Sequence, residues 1–305
     1  MTHPVKGIDH VFLLVHDLDA AHDAYARMGF NVSPRGLHSA HKGSANHTMM
    51  FADDYIELLG LVAETEGNAA RRATLDRDGE GLHAVACRID DADAAKAALD
   101  ALGIATGTVG AFSRPVPLPG GGEGEASFRT LEFRESEVPL GTCFMCQHLT
   151  RDTVWIPELM AHPNGAVALT GIVAVTDDPA AKGEAFARLF AAGKAREGEA
   201  GVEVVTGERS ATLSVMTSGD IAARFPDFDM SVTPARAFAA MQVAVEDLAR
   251  TRSLLEAAGF SVSDTARGVA VGPAEAAGCA VEFVSRQAGG RTAKAPASTA
   301  SAAAS

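Results

Sequence analysis

The feature that most constrains the fold of this chain is an internal repeat. A β-strand pattern, an acidic turn, a helical pattern and a glycine follow one another four times. The first and last copies match without a gap, because Asp17 precedes Gly29 by the same interval that separates Asp247 from Gly259. Self-similarity of this kind is typical of a fold assembled from repeated supersecondary units.

Each copy continues into short β-like segments, such as HTMMF and YIELL in the first copy and AVEFV in the last. Each copy is therefore interpreted as a βαβββ module, and the chain as an α+β fold. The two middle copies, which end at Gly103 and Gly193, match more loosely. The alternative is a chance succession of strands and Asp-capped helices, which any α/β chain can offer. The four modules span about residues 5–62, 81–150, 166–218 and 236–285.

Three segments lie outside the regular pattern. Residues 114–127, RPVPLPGGGEGEAS, combine prolines, glycines and acids, which predicts a loop within the second module. Residues 155–164 are interpreted as the connection between an N-terminal pair of modules, 5–150, and a C-terminal pair, 166–285. The tail, 288–305, lacks large apolar residues and is predicted to be disordered.

Composition narrows the class of partner and the compartment. Hydrophobic residues make up 47% and charged residues 21%, and no apolar run is long enough to cross a bilayer. The N-terminus does not resemble a signal peptide, so we expect a cytoplasmic protein. A formal net charge of −13 disfavours nucleic acid as a partner. The expected partner is a small molecule, and neither nucleic acid nor a membrane is expected. The chain is also considered able to form a homodimer.

Four cysteines are too few for a disulfide scaffold in 305 residues. Cys143 and Cys146 form a CxxC inside the strand-like run TCFMCQ, with no second pair to complete a zinc site. Buried thiols are the favoured interpretation.

A histidine lies in the first strand, IDHVFLLV, and a glutamate in the last strand of the first module, YIELLG. In these motifs the chain resembles the vicinal oxygen chelate superfamily, which includes glyoxalase I, fosfomycin resistance proteins and extradiol dioxygenases. The resemblance extends to about Ser285. It implies that the four βαβββ modules form two paired, cup-shaped mixed sheets, with a metal bound in a cup by first-strand and last-strand residues.

The resemblance implies one metal site in the N-terminal half. The first-strand position holds His10, His83, Thr170 and Ala240 in the four modules, and the last-strand position holds Glu57, Gln147, Ser214 and Glu282. One divalent ion (iron, manganese, nickel, cobalt or zinc) is thus expected on His10, Glu57, His83 and Gln147, with His148 as the alternative to Gln147. The C-terminal pair, which lacks the histidines, is expected to be a degenerate structural pair or a lid.

Individual residues also have simpler interpretations. An isolated strand histidine such as His10 is more often a hydrogen-bonded core residue. Glu57, however, lies between two apolar residues, where a carboxylate calls for a cation or a solvent-lined cleft. His38 and His41 are predicted to lie in a solvated loop. His47 opens the third strand and is a candidate substrate contact or proton shuttle, so Glu57 and His47 are the catalytic candidates.

The function expected from this resemblance is that of a metal-dependent, glyoxalase-like lyase or isomerase. Its substrate would be a small molecule that chelates the metal through two vicinal oxygens. Two alternatives remain open: an iron-dependent ring-cleavage dioxygenase, because two histidines and a carboxylate also form a facial triad, and a non-catalytic protein that binds or sequesters a small molecule.

Overall fold

Four βαβββ modules follow one another along the chain, which confirms the predicted α+β class. The structure, a computed structural model, describes residues 2–118 and 121–286. The first module contains β1 (Ile8–Val15), α1 (Leu18–Arg27), β2 (Gly36–Leu37), β3 (Ser44–Met50) and β4 (Tyr55–Leu61). A linking helix, α2 (Ala69–Asp78), leads to the second module, which contains β5 (Gly81–Arg88), α3 (Ala92–Ala101), β6 (Gly110–Pro117), β7 (Glu123–Glu132) and β8 (Thr142–His148).

The C-terminal half repeats this order. The third module contains β9 (Ala166–Val175), α4 (Pro179–Ala187), β10 (Lys194–Glu197), β11 (Val202–Val205) and β12 (Thr212–Met216). A second linking helix, α5 (Ser218–Arg224), leads to β13 (Phe238–Val245), α6 (Leu248–Ala257), β14 (Val262–Asp264), β15 (Gly268–Val271) and β16 (Ala280–Ser285).

The acidic turn of the repeat caps the helix of every module. In each case an aspartate carboxylate accepts a hydrogen bond from a backbone N–H in the first turn of the helix, the usual N-cap arrangement. The four capping residues are Asp17, Asp91, Asp178 and Asp247. After α1 and α6 the chain turns at Gly29 and Gly259, each with a φ of 83°, which favours glycine.

Each half forms an eight-stranded mixed sheet. In each module the first strand pairs in parallel with the last, and the first strands of the two modules pair antiparallel, as β1 does with β5. The strand order is β2-β3-β4-β1-β5-β8-β7-β6 in the N-terminal half and β10-β11-β12-β9-β13-β16-β15-β14 in the other. One residue pair, Phe238 with Leu82, joins β13 to β5 across the halves.

The two faces of β1 have different roles, which explains why all its residues are buried. Val11 and Leu13 belong to a large apolar core that also contains residues of β9 and β13. His10, Phe12 and Leu14 alternate with them and line a cavity on the opposite face. A shared core therefore fixes β1 and leaves its other face available for a site.

The prediction of a loop over residues 114–127 is wrong. These residues fall mainly in β6 and β7, which pair antiparallel from Gly110 with Thr130 to Pro117 with Glu123. Among the described strands, β6 pairs with β7 alone and is therefore an edge. An edge strand tolerates Pro115 and Pro117, since one side of its backbone makes no ladder hydrogen bonds.

Other expectations are not tested by the fold. The tail, 288–305, lies outside the described residues, and the division into domains 5–150 and 166–285 stays a prediction. Within the described part of the chain, no helix is both long and apolar enough to cross a membrane.

Candidate active site

A cavity of about 580 Å³ lies on the N-terminal sheet, on the face opposite the shared core. Its walls come from β1 and β4 of the first module, from β6 and β8 of the second, and from the linking helix α2. Aromatic side chains from β1, β4, β6, β7 and β8 form part of the surface, and histidine, lysine, arginine and glutamate side chains lie among them. This volume and lining are typical of a small-molecule site.

His10 lies in this cavity with its orientation fixed. Its ring stacks on Tyr55, with centroids 4.2 Å apart and an interplanar angle of 13°. Its Nδ1 is 2.7 Å from Asp9 Oδ1. An ionised carboxylate only accepts hydrogen bonds, so Nδ1 carries a proton, and in the neutral form of the ring Nε2 presents a lone pair.

Glu57 faces that lone pair. Its Oε2 is 3.9 Å from His10 Nε2, and its Oε1 accepts a hydrogen bond of 2.7 Å from Asn46 Nδ2. Asn46 lies on β3, whose backbone pairs with β4. The neighbouring strand therefore orients one oxygen of the carboxylate and leaves the other toward His10.

Asp9 is positioned by an irregularity in β1. Ile8 pairs with Cys87 but His10 pairs with Ala86, so Asp9 is the additional residue of a β-bulge. Its Oδ1 also accepts from His148 Nε2 at 2.8 Å. The ligand atoms of Asp9, His10 and His148 lie within 4.8 Å of one another, a group that could hold a metal ion.

The charge of Asp9 depends on these histidines. Burial opposes ionisation, but the positive charge of His148 and the hydrogen bonds from His10 and His148 outweigh it and hold the pKa of Asp9 far below its usual range. Asp9 is therefore a buried carboxylate whose ionised form is stabilised by the two imidazoles.

The strand register changes the alignment of the second module. His10 pairs with Tyr55 in β1 and β4, and the corresponding parallel pair in β5 and β8 is Ala84 with Thr142. The first-strand position is thus Ala84 rather than His83. His83 lies at a second register shift, lines the same cavity, and has its Nε2 2.8 Å from the carbonyl oxygen of Gly79.

The last-strand position of the second module is also different. Phe12 pairs with Glu57, and the corresponding pair is Ala86 with Phe144, so Phe144 takes the place expected for Gln147. Gln147 Oε1 accepts from the backbone N–H of Ala92 at the start of α3. His148, by contrast, reaches Asp9, and the structure brings this residue rather than Gln147 to the site.

The other three histidines considered in the sequence, His47, His38 and His41, differ in their relation to the cavity. His47 is buried with its Nδ1 2.7 Å from the Ser33 carbonyl oxygen and its ring beside His22, while its strand neighbours Asn46 and Thr48 line the cavity. The structure does not bring His47 to the site. His38 and His41 line the cavity, although only His41 is exposed as expected for a solvated loop.

The cysteines behave as expected for buried thiols. Cys143 and Cys146 lie three residues apart in β8, so one joins the shared core and the other the cavity wall. Burial raises the pKa of both thiols, which leaves Cys146 neutral beside the cavity.

The C-terminal half carries a smaller cavity of about 230 Å³. Glu282 of β16 is fully buried there and accepts hydrogen bonds from Arg224 Nη2 at 2.5 Å and Gln242 Nε2 at 2.8 Å. Gly171 and Ala240 are at the first-strand positions. The second carboxylate is therefore neutralised by an arginine from the linking helix α5.

Sequence reasoning did not single out Asp9, Lys42, Arg71 or Arg114. The only sequence signal for Asp9 was a second polar residue beside His10 in an apolar strand. Lys42, Arg71 and Arg114 come from a loop, a linking helix and an edge strand, where no strand or helix periodicity indicates which side chains face the cavity.

Comparison with known proteins agrees with this architecture. Residues 8–190 match the family model described as a glyoxalase-like domain. Among curated proteins, no sequence matches this chain.

Several solved structures share the fold. A hypothetical protein from Staphylococcus aureus superposes with a TM-score of 0.62 at 11% identity, covering 90% of this chain and 98% of that one. The Mn(II)-bound glyoxalase from Novosphingobium aromaticivorans gives 0.52 at 14% identity, covering 92% and 82%. A mutant of 4-hydroxymandelate synthase from Streptomyces coelicolor gives 0.51 at 13% identity, covering 86% and 77%.

Proposed function

The chain belongs to the glyoxalase-like domain family, and we propose that it is a metal-assisted lyase or isomerase whose reaction takes place in the N-terminal cavity. His10 and Glu57 would hold the ion and, with Asp9, control the proton of a small substrate. The observation that carries this proposal is the line of contacts from Asp9 through His10 to Glu57, with Nδ1 on a carboxylate and Nε2 directed toward a second carboxylate.

The donor set fits a divalent metal. A histidine that ligates a metal through one nitrogen commonly donates its other N–H to a carboxylate, as His10 does to Asp9. Imidazole nitrogen and carboxylate oxygen are ligands for iron, manganese, cobalt, nickel and zinc. His83 lines the same cavity, but among the described residues it forms no group with His10 and Glu57 in which all ligand atoms lie within 4.8 Å of one another, so its side chain would have to move to become a third ligand. When bound, the ion would polarise a substrate carbonyl oxygen.

The alternative cluster of Asp9, His10 and His148 fits an ion less well. Both imidazoles already place an N–H on the same oxygen, Asp9 Oδ1, at 2.7 and 2.8 Å. A metal there would require both protons to leave. We infer that Asp9 and His148 orient the ring of His10, with the negative charge on the buried Asp9 carboxylate, and that this group does not bind the ion itself.

The residues of the chain then have distinct roles in proton transfer. Glu57 Oε2, which makes no hydrogen bond to Asn46, is the group able to take a proton from a carbon next to a carbonyl. Asp9, by accepting the hydrogen bond from His10 Nδ1, keeps Nε2 of that ring directed toward the ion. The aromatic wall around Phe144 and Tyr55 limits the access of water to this pair.

The experiment is metal analysis of protein purified without added ions and then equilibrated with Mn²⁺. Wild type is expected to hold close to one ion per chain, while His10→Ala and Glu57→Gln each lose most of it. Asp9→Asn is expected to weaken metal affinity by about 10–100-fold, because it removes the orienting carboxylate. Glu132→Gln, which changes another carboxylate of the same cavity, and Glu282→Gln in the other half are the matched controls.

Equal losses in the control variants would contradict the proposal. Loss of the ion in His148→Ala but not in Glu57→Gln would move the site to the lower cluster. Oxygen uptake with a catechol, compared aerobically and anaerobically, tests the dioxygenase alternative, and protein that binds no metal at all would favour a binding role. The cytoplasmic location and the homodimer stay predictions.

A further inference from the structure

Three positively charged side chains line the N-terminal cavity without an ion-pair partner among residues 2–118 and 121–286. Lys42, Arg71 and Arg114 belong to the lining, and none of them lies within 4.0 Å of a carboxylate among the described residues. This is unusual in a chain with 39 acidic and 26 basic residues. Unpaired like charges around one cavity repel one another, and an anion between them would relieve that repulsion.

The carboxylates of the same cavity form no ion pair with these cations in the described part of the chain. Glu57 has one oxygen on Asn46 and the other toward His10. Glu132 is exposed at the wall. The C-terminal cavity shows the opposite arrangement, since its Arg224 and Arg267 contact Glu282 and Glu199.

Aromatic rings lie beside the cations. The Nζ atom of Lys42 is 3.2 Å from the centroid of the Phe112 ring, and Phe112 stacks on Phe128 with centroids 5.0 Å apart. The guanidinium of Arg71 lies over Phe12 at 5.8 Å. Charge and flat apolar surface therefore occur side by side, which suits a ligand with an anionic end and an apolar body.

The backbone segments that carry Lys42 and Arg71 are held together before any ligand arrives. The buried Asn68 donates from Nδ2 to the carbonyl oxygens of Lys42, Gly43 and Ala63, at 2.9, 3.2 and 2.8 Å. Asn68 immediately precedes α2, which carries Arg71. One side chain thus ties the loop of Lys42 to the start of this helix, and such preorganisation lowers the entropic cost of binding.

We propose that the substrate of this cavity is a small organic anion, whose carboxylate or phosphate is bound by Lys42, Arg71 and Arg114 and whose flat apolar body packs on Phe112 and Phe128. Guanidinium groups bind both kinds of anion through paired hydrogen bonds. This inference rests on the proposed function only in placing the substrate in the N-terminal cavity, and it does not depend on the metal.

The test compares three probes of one shape: 1-naphthoate, 1-naphthyl phosphate and the neutral 1-naphthalenemethanol. Binding is measured by calorimetry, both after treatment with EDTA and after loading with Mn²⁺. At least one anion is expected to bind about tenfold more tightly than the alcohol in both forms, a difference of about 1.4 kcal/mol. The tighter of the two anions distinguishes a carboxylate from a phosphate substrate.

Variants assign the effect to the cations. Arg71→Gln and Arg114→Gln are each expected to weaken binding of the anion about fivefold or more and to leave binding of the alcohol unchanged. Arg71→Lys, which keeps the charge but loses the paired hydrogen bonds, is expected to give an affinity between those of wild type and Arg71→Gln. Arg196→Gln, a surface arginine of the other half paired with Glu203, is the matched control. Melting curves identify any variant that fails to fold, in which case the decrease of wild-type anion affinity with added salt decides.

Equal affinity for the alcohol and both anions would overturn the inference. So would an anion affinity that changes neither with added salt nor in the Arg71→Gln and Arg114→Gln variants. Anion binding seen only with Mn²⁺ would also overturn it, because the ion rather than the cations would then be the anion site. Metal content is measured in the same samples. Selective anion binding in a protein that holds no metal would therefore reject the metal proposal while supporting this one.

Discussion

The two halves of the molecule each place one carboxylate on a last strand, and they use it differently. Glu57 lies in a cavity of about 580 Å³, with one oxygen directed toward His10. Glu282 lies beside a cavity of about 230 Å³ and is fully buried against Arg224 and Gln242. Equivalent module architecture therefore produces an available carboxylate in one half and an internally neutralised one in the other.

The difference arises from neighbouring positions rather than from the carboxylates. The first strand of the N-terminal half supplies His10, while the C-terminal half has Gly171 and Ala240 at its first-strand positions. The linking helices also differ, since α5 directs Arg224 onto Glu282 while Arg71 of α2 reaches the cavity without a carboxylate partner among the described residues. The N-terminal half thus presents His10 Nε2 and the unpaired Arg71 to its cavity, whereas the C-terminal half uses Arg224 and Glu282 in an ion pair with each other.

The largest effect is expected on removing the internal cation of the C-terminal half. Arg224→Ala would leave Glu282 buried without its ion pair, which typically costs about 3–5 kcal/mol. Glu57→Gln in the N-terminal half removes a charge that makes no ion pair with a lysine or arginine in the described part of the chain, and we expect a change below about 1 kcal/mol. Urea unfolding of both variants at pH 7 measures the two free energies of unfolding. Similar losses in both would remove the distinction between a structural and an available carboxylate.

A smaller effect is expected from His38, which lines the N-terminal cavity. Burial lowers the pKa of His38 to about 4; the charge of Glu57 opposes this, and Lys42, Arg114 and Arg71 add to it. The folded state therefore binds fewer protons than the unfolded state, whose histidine has a pKa of about 6.5. The free energy of unfolding therefore has its full value above pH 6.5. It decreases by on the order of 2 kcal/mol as the pH falls toward 4.

His38→Gln should remove that part of the pH dependence, because glutamine does not titrate. Unfolding free energies at pH 7 and 4.5 are compared for wild type, His38→Gln and the control His41→Gln, whose side chain is exposed. If the free energy of unfolding falls equally for wild type and His38→Gln between these pH values, burial of His38 does not cause the loss of stability at low pH.

The module architecture could be predicted because it depends on local chemistry that recurs in the sequence. Capping aspartates, helix-ending glycines and alternating strands identify each module without knowledge of the others. The prediction failed for β6, where Pro115 suggested a loop although an edge strand accommodates it.

Of the residues expected to hold a metal, only His10 and Glu57 of the first module occupy the expected strand positions, and their role as ligands stays a prediction. Two consecutive aspartates precede α3, and counting back from Asp91, the residue that caps the helix, gives Ala84 rather than His83. Bulges then moved Asp9 and His83 out of simple alternation. Sequence periodicity cannot locate such shifts, because a bulge depends on the pairing between strands distant in the chain.

The smallest effect concerns Lys42, whose charge would help to bind an anion in the N-terminal cavity alone. Burial lowers the pKa of Lys42 to about 8, with a further decrease from the positive charge of Arg71 and an opposing effect of Glu57. Lys42 is thus mostly charged at pH 7 and mostly neutral at pH 9. Because a bound anion favours the charged form, its affinity should decrease as the pH rises through 8, by at most about tenfold per pH unit. Calorimetry with 1-naphthoate from pH 7 to 9.5 should show a several-fold increase in Kd for wild type and a flat profile for Lys42→Arg, whose guanidinium stays charged. The same increase in both proteins would remove Lys42 from the anion site and leave the arginines as the distinguishing cations of this half.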